Sequence, residues 1–195
     1  MRDFLCPNCG QRLAFENSVC LSCDRHLGFS LEHMAILVLG SAEESRQPGF
    51  VDAARYELCA NLHLAQCNWL VEKVDGQPRR LCASCAMTRT RPNDDDAPAL
   101  AAFAVAERAK RRLLVELAEL RLPTDGLRFD LLSSAEQKVF TGHHNGVITL
   151  DLAEGDDVHR EQLRIAMDEP YRTLLGHFRH EVGHFYYFTL VEPNP

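Results

Sequence analysis

Cys6-Pro7-Asn8-Cys9-Gly10-Gln11-Arg12-Leu13-Ala14-Phe15-Glu16-Asn17-Ser18-Val19-Cys20-Leu21-Ser22-Cys23 decides how the chain begins, because it carries two Cys-x-x-Cys pairs ten residues apart. Each pair makes a tight knuckle whose backbone amides turn towards the sulfurs. Two knuckles supply four thiolates, the tetrahedral set that a structural Zn²⁺ prefers. Gly10 suits the position after the second thiolate, where a positive φ is needed. Four sulfurs close the coordination sphere to water, so the metal folds the segment and does no catalysis. One pair beside a βαβ pattern would favour redox chemistry, but here the pair is doubled and no such pattern surrounds it.

Residues 1–30 thus read as a zinc ribbon, a segment of turn formers too poor in apolar residues to fold without a metal staple. A second segment, 31–92, holds Cys59, Cys67, Cys82 and Cys85, with the only tryptophan, Trp69, in its midst. Only Cys82-Ala83-Ser84-Cys85 forms a knuckle, yet four thiols in a 27-residue window point to a second structural zinc. The alternatives are that Cys59 and Cys67 are buried small apolar residues, or that His63 substitutes for one of them. Arg79, Arg80, Arg89 and Arg91 surround this cluster and read as a solvated surface.

At 195 residues and 46% hydrophobic, the chain can bury a core and hold one medium domain plus a small module. A net charge of −7 and a pI near 5.7 argue against non-specific nucleic-acid binding. The start, Met1-Arg2-Asp3-Phe4-Leu5-Cys6, has no apolar h-region. The longest apolar run, Met34 to Leu39, is far short of the ~20 residues that span a bilayer. A cytoplasmic protein without a membrane segment is expected. In that reducing compartment eight cysteines are metal ligands, not disulfides.

Pro92-Asn93-Asp94-Asp95-Asp96-Ala97-Pro98 marks a solvated linker. From Ala99 to about Leu122 strong helix formers run without Gly or Pro, and Pro123 ends the helix. Its apolar stripe is Phe103, Ala106, Leu113, Leu117 and Leu120, with Lys110, Arg111 and Glu119 off the stripe. Leu127 to Leu132 and Val147 to Leu152 read as strands, the second preceded by an Asn145-Gly146 turn signal. Asp156-Asp157 suits the cap of a helix to about Asp168, and Pro170 the start of another from Tyr171 towards Leu190.

That last helix carries His180-Glu181-Val182-Gly183-His184. Two histidines four apart project from one helix face and can bind one Zn²⁺ at about 2.0–2.1 Å. Glu181 beside them is placed to take a proton from zinc-bound water and pass it to a leaving amine. Gly183 would admit a close neighbour. Six of the nine histidines fall between His143 and His184. The bland alternative is a surface helix pair. Phe185, Tyr186, Tyr187 and Phe188 most simply bury the helix, although a tyrosine hydroxyl could also steady an oxyanion. His177 could reach the histidine face, whereas His143 and His144 fall on the turn before a strand.

Cys6 to Gln11, Phe15-Glu16-Asn17-Ser18, Cys67-Asn68-Trp69-Leu70-Val71 and Pro170 to Glu181, with Thr141-Gly142-His143, Gly146-Val147-Ile148-Thr149 and Arg160-Glu161, resemble a bacterial family of zinc-binding metallopeptidases with an N-terminal zinc ribbon. The resemblance implies an α+β chain: the ribbon region with all eight cysteines, then a zincin-like domain, residues 99–195, containing the His-Glu-x-x-His helix. It implies His180 and His184 as ligands of a catalytic Zn²⁺, Glu181 as general base and a peptide or protein as substrate. It also implies a downstream acidic third ligand, yet the chain stops at Pro195, eleven residues after His184. Residues 99–195 therefore read as the N-terminal part of a truncated domain. Glu192 is the one carboxylate in that tail, and His177, Asp151, Glu154 or a second subunit are the other sources. Three zinc ions are expected for a working hydrolase, and one or two structural ions otherwise. The rival expectation is a non-catalytic zinc-ribbon protein that binds a protein or nucleic-acid partner.

Overall fold

Short strands joined by tight turns build the N-terminal half, because segments flanked by metal knuckles are too short for long ladders. In the computed structural model, residues 3–75, 77, 80–135, 138–156, 165 and 173–192 are described. They fall into two compact units, Met1–Ala83 and Ser84–Pro195. In the first, β1 (Phe4–Leu5) pairs with β2 (Arg12–Leu13) antiparallel. A three-stranded sheet joins β3 (Leu27–Ser30), β4 (Ala35–Gly40) and β5 (Phe50–Asp52), and β6 (Tyr56–Leu58) pairs with β7 (Leu70–Glu72). The apolar run too short for a bilayer is the central strand β4. Its Ile36 and Val38 pair with Phe29 and Leu27 of β3, and all four are buried. Phe29 also meets Phe15 and Trp69 at 4.9 and 5.3 Å, an aromatic core that a 30-residue ribbon could not supply alone.

The second unit is a four-stranded sheet with helices on it. The strands β8 (Thr88–Thr90), β9 (Arg128–Leu132), β10 (Gly142–His144) and β11 (Val147–Asp151) lie in the order β10-β11-β9-β8. Pairing is parallel for β8 with β9 and for β9 with β11, and antiparallel for β11 with β10. The two expected strands are therefore parallel neighbours. The Asn145-Gly146 hairpin instead joins β11 to a third strand that contains His143 and His144, not a turn as expected. Both turn residues adopt positive φ, 49° and 79°, which Asn and Gly tolerate best.

After the four-residue helix α1 (Ala83–Ala86), helix α2 (Ala97–Glu119) begins inside the expected linker. The Asp96 carboxylate accepts the Ala99 amide and Pro98 fits the first turn, which lacks internal N–H bonds. Phe103, Ala106, Leu113 and Leu117 are buried as expected, but Leu120 is exposed. The larger correction concerns Lys110 and Arg111, which together with Glu107 are fully buried. They pair with one another, so the helix is buried on a wider face than its apolar stripe. Helix α3 (Leu174–Tyr186) starts at Thr173, whose hydroxyl accepts the Gly176 amide. Leu174, Phe178, Val182 and Phe185 form its buried stripe. Phe178 sits edge-on to Phe129 of β9 at 5.7 Å, and Arg179 donates to Glu116 of α2. Of the helix expected from Asp156 to about Asp168, only Asp156 and Ile165 are described, and its Pro170 successor start lies outside the described residues.

Candidate metal centres

Cys6, Cys9, Cys20 and Cys23 bring their sulfurs within 4.8 Å of one another, and so do Cys59, Cys67, Cys82 and Cys85. None of the eight is in a disulfide. Sγ pairs stand 3.7 Å apart for Cys6 and Cys23, 3.6 Å for Cys9 and Cys20, and 3.5 Å for Cys67 and Cys82. Four sulfurs each about 2.3 Å from a common ion would sit roughly 3.8 Å apart, so both sets fit a tetrahedral metal. His63 is exposed and outside the second set.

The first set is built by two matching knuckles. The Gly10 amide donates to the Cys6 carbonyl and the Asp24 amide to the Cys20 carbonyl, at 2.9 and 2.8 Å. Both residues have positive φ, 76° and 55°, so Asp24 does in the second knuckle what Gly10 does in the first. A glycine signal finds only one of the two. Hydrogen bonds from the Asn8 side chain and the Arg25 backbone pull the Cys23 thiol down to about 6, which favours a thiolate ligand. Burial pushes Cys6 up to about 11. In the second set the four cysteines are buried, and the Cys82 and Asn61 amides donate to the Cys59 sulfur at 3.2 and 3.5 Å.

On α3 the buried stripe leaves His180 and His184 exposed, with Nε2 atoms 3.1 Å apart. Two nitrogens about 2.05 Å from one tetrahedral ion would be roughly 3.3 Å apart, so the pair can chelate one metal. Glu181, next to His180 on the helix, is half-buried. Among the described residues no third histidine, cysteine or carboxylate joins the pair. His177 pairs instead through Nδ1 with Glu154, whose other oxygen accepts the Thr141 hydroxyl at 2.5 Å. The Asp151 carboxylate caps Ala153 at 3.0 Å, and Thr141 accepts the Asp151 amide. The Glu154–His177 pair ties the first turn of α3 to the turn after β11.

Three further expectations change. A Cβ on Gly183 would meet nothing within 4 Å outside its own helix backbone, so that glycine serves no close approach among the described residues. The Tyr186 hydroxyl is committed to the Pro123 carbonyl at 3.0 Å. Phe185 is buried, but Tyr187 and Phe188 are exposed. Phe188 instead stacks on His143 at 5.9 Å, beside a cleft of about 370 Å³ lined by His143, His144, Phe185, Phe188 and Thr189. His143 accepts the Gly146 amide on Nε2. Burial, then the charge of His184, holds its pKa below the usual histidine value, while Glu181 pulls the other way. His143 is thus close enough to sense both helix groups, a proximity that only the β10–β11 hairpin creates.

A thiolate-rich N-terminal region followed by a sheet that supports a His-Glu-x-x-His helix defines the class: a zinc-ribbon chain with a metallopeptidase-type region. Residues 3–96 match a family profile described as a zinc-ribbon domain, and residues 99–195 one described as "Putative zinc-binding metallo-peptidase". With both regions matched, the chain belongs to the family of zinc-binding metallopeptidases that carry an N-terminal zinc ribbon. Proteins described as uncharacterized, from Mycobacterium bovis and from two strains of Mycobacterium tuberculosis, are 62% identical to it over 199 residues. That alignment covers 98% of this chain and 54% of each relative, so the chain spans about half the length of the curated relatives it matches. No solved structure matches it. No described helix is long and apolar enough to cross a membrane.

Proposed function

We propose that this chain supplies part of a zincin-like, zinc-dependent hydrolase of amide bonds in peptides or proteins. The observation that carries the reading is the 3.1 Å approach of the His180 and His184 Nε2 atoms on one face of α3, with Glu181 next to His180. A zinc ion held there would act as a Lewis acid and bring the pKa of water towards about 7. Glu181 would take the proton from that water and carry it to the departing amine. The cleft beside His143 would seat the substrate, with His143 neutral and able to donate through Nδ1 because Nε2 is occupied by the Gly146 amide. The third ligand would come from outside the described residues, in keeping with the acidic ligand that the family resemblance implies.

The cysteine centres would be structural, with the ribbon of residues 1–30 and the segment of residues 31–92 each holding one zinc and free to contact a protein partner. Eight thiols kept as ligands suit a reducing cytoplasm. In this reading Glu181→Ala keeps its zinc content and loses hydrolysis of a fluorogenic peptide library, assayed in this chain and in a full-length relative. An alanine variant as active as its parent would sink the mechanism. The two complete four-sulfur sets support a second reading, a non-catalytic zinc-ribbon binding protein. Two zinc ions per chain in both this chain and the full-length relative would support it, and three would support the hydrolase.

A further inference from the structure

Phe188 keeps 43% of its surface exposed, a large ring left open just past the buried stripe of α3. It lies in the π-turn Tyr187–Val191 that follows the helix. His143 of β10 stacks on it with ring planes 21° apart, and meets Phe185 edge-on at 6.1 Å and 78°. Two phenyl rings and one imidazole therefore wall the cleft of about 370 Å³ between the hairpin and the end of α3. Ligand pockets run from about 300 to 1,000 Å³, so this one holds a large side chain and a little of its backbone, not a folded partner.

The chemistry of the walls selects the occupant. Among the described lining residues none bears a carboxylate, an ammonium or a guanidinium. The polar ones are engaged locally: His143 accepts the Gly146 amide, the His144 ring meets the Asn145 amide at 3.1 Å, and the Thr189 hydroxyl donates to the Phe185 carbonyl at 2.7 Å. A charged side chain entering the cleft gives up water with no opposite charge in the walls to replace it. An uncharged ring gives up little, and gains edge-on and offset contacts with the rings already there, beyond the area it buries. A lysine also gains from ring faces, but it carries the desolvation cost as well.

We propose that this cleft is a side-chain pocket for an uncharged aromatic residue of a peptide, with Phe188 as its specificity-determining residue. Phe188 follows His184 by four positions, about one helical turn of 5.4 Å. Successive residues of an extended peptide advance about 3.3 Å and alternate sides, so a peptide bond at the histidine pair puts a neighbouring side chain within reach of the cleft. The aromatic residue is then the one flanking the cleaved bond, an assignment that rests on the hydrolase reading. Binding of the aromatic side chain does not rest on it, because the walls are complete without a metal.

The test is binding of the N-acetyl amides of phenylalanine, glutamate and lysine to the whole zinc-loaded chain carrying Glu181→Ala, followed by the aromatic ring resonances of the protein. At about pH 8, above the ordinary histidine pKa of about 6.5, the imidazoles are neutral. The phenylalanine probe should bind at least about tenfold more tightly than either charged probe. Adding Phe188→Ser should weaken the phenylalanine probe about fivefold, the effect of one lost ring contact, and leave the charged probes unchanged, whereas Phe188→Tyr should keep the preference. Equal affinity for the three probes, or a phenylalanine affinity indifferent to Phe188→Ser, overturns the proposal even if peptides are hydrolysed. A preference that vanishes with Phe188→Ser upholds the pocket even if no peptide is cleaved, and then the hydrolase reading alone fails. If Phe188→Ser does not fold, the order of the three probes on the Glu181→Ala chain decides.

Discussion

Single residues in this protein are defined by what occupies their hydrogen-bonding atoms. Glu44 accepts the Ser41 amide and then the Arg25 guanidinium, and these hold its pKa below the usual 4.5. A carboxyl depressed in the folded state adds stability above its unfolded pKa and loses it as pH falls through the folded one. Thermal melting followed downward from pH 4.5 should therefore fall more steeply for the parent than for Glu44→Gln, and equal slopes would remove the linkage. Phe178, fully buried edge-on to Phe129, should cost about 3–5 kcal/mol when cut to alanine, measured by denaturant unfolding of zinc-loaded protein. A loss under about 1 kcal/mol would mean that the helix can repack there. Residue identity alone announced the cysteines and the His180-Glu181-His184 set, because their chemistry depends on local spacing. It did not announce Glu107, Lys110 or Arg111 as interior residues. Their spacing of three and four positions on α2 was visible, but charged residues at that spacing are ordinarily solvated.

At the scale of elements, caps and turns fix where the functional side chains point. Asp96 starts α2 and Thr173 starts α3, so Asp96→Ala should destabilise the fold by about 1 kcal/mol, seen as a lower melting temperature with the zinc content intact. Gly146 combines a φ of 79° with a position where a Cβ would lie 2.6 Å from the Gly126 carbonyl. Gly146→Ala should cost about 1–3 kcal/mol and displace His143, detectable as a changed His143 ring resonance; an unchanged spectrum would refute the role given to this turn. The Asn-Gly signal located the turn, and the apolar runs located β9 and β11. Which strand pairs with which depends on contacts distant in sequence, so the parallel pairing of β9 with β11 was not legible.

For the molecule as a whole, metal content is the decisive quantity. The two cysteine centres should hold about two zinc ions per chain, and exhaustive chelation should unfold the region of residues 1–83, whose short strands are joined through the cysteine knuckles. Retention of that region's structure in fully zinc-free protein, followed by circular dichroism and protease resistance, would contradict a structural role. By itself the sequence determined the first four-sulfur centre, the existence of α2 and α3, and the placing of His180 and His184 on one helix face, since all of these follow from spacing within a few turns of chain. Only the tertiary structure decided that Cys59 and Cys67 join the Cys82–Cys85 knuckle, that His143 reaches the helix, and that His177 pairs with Glu154 instead of His180. Those outcomes depend on which distant surfaces meet and exclude water, and no local pattern encodes that.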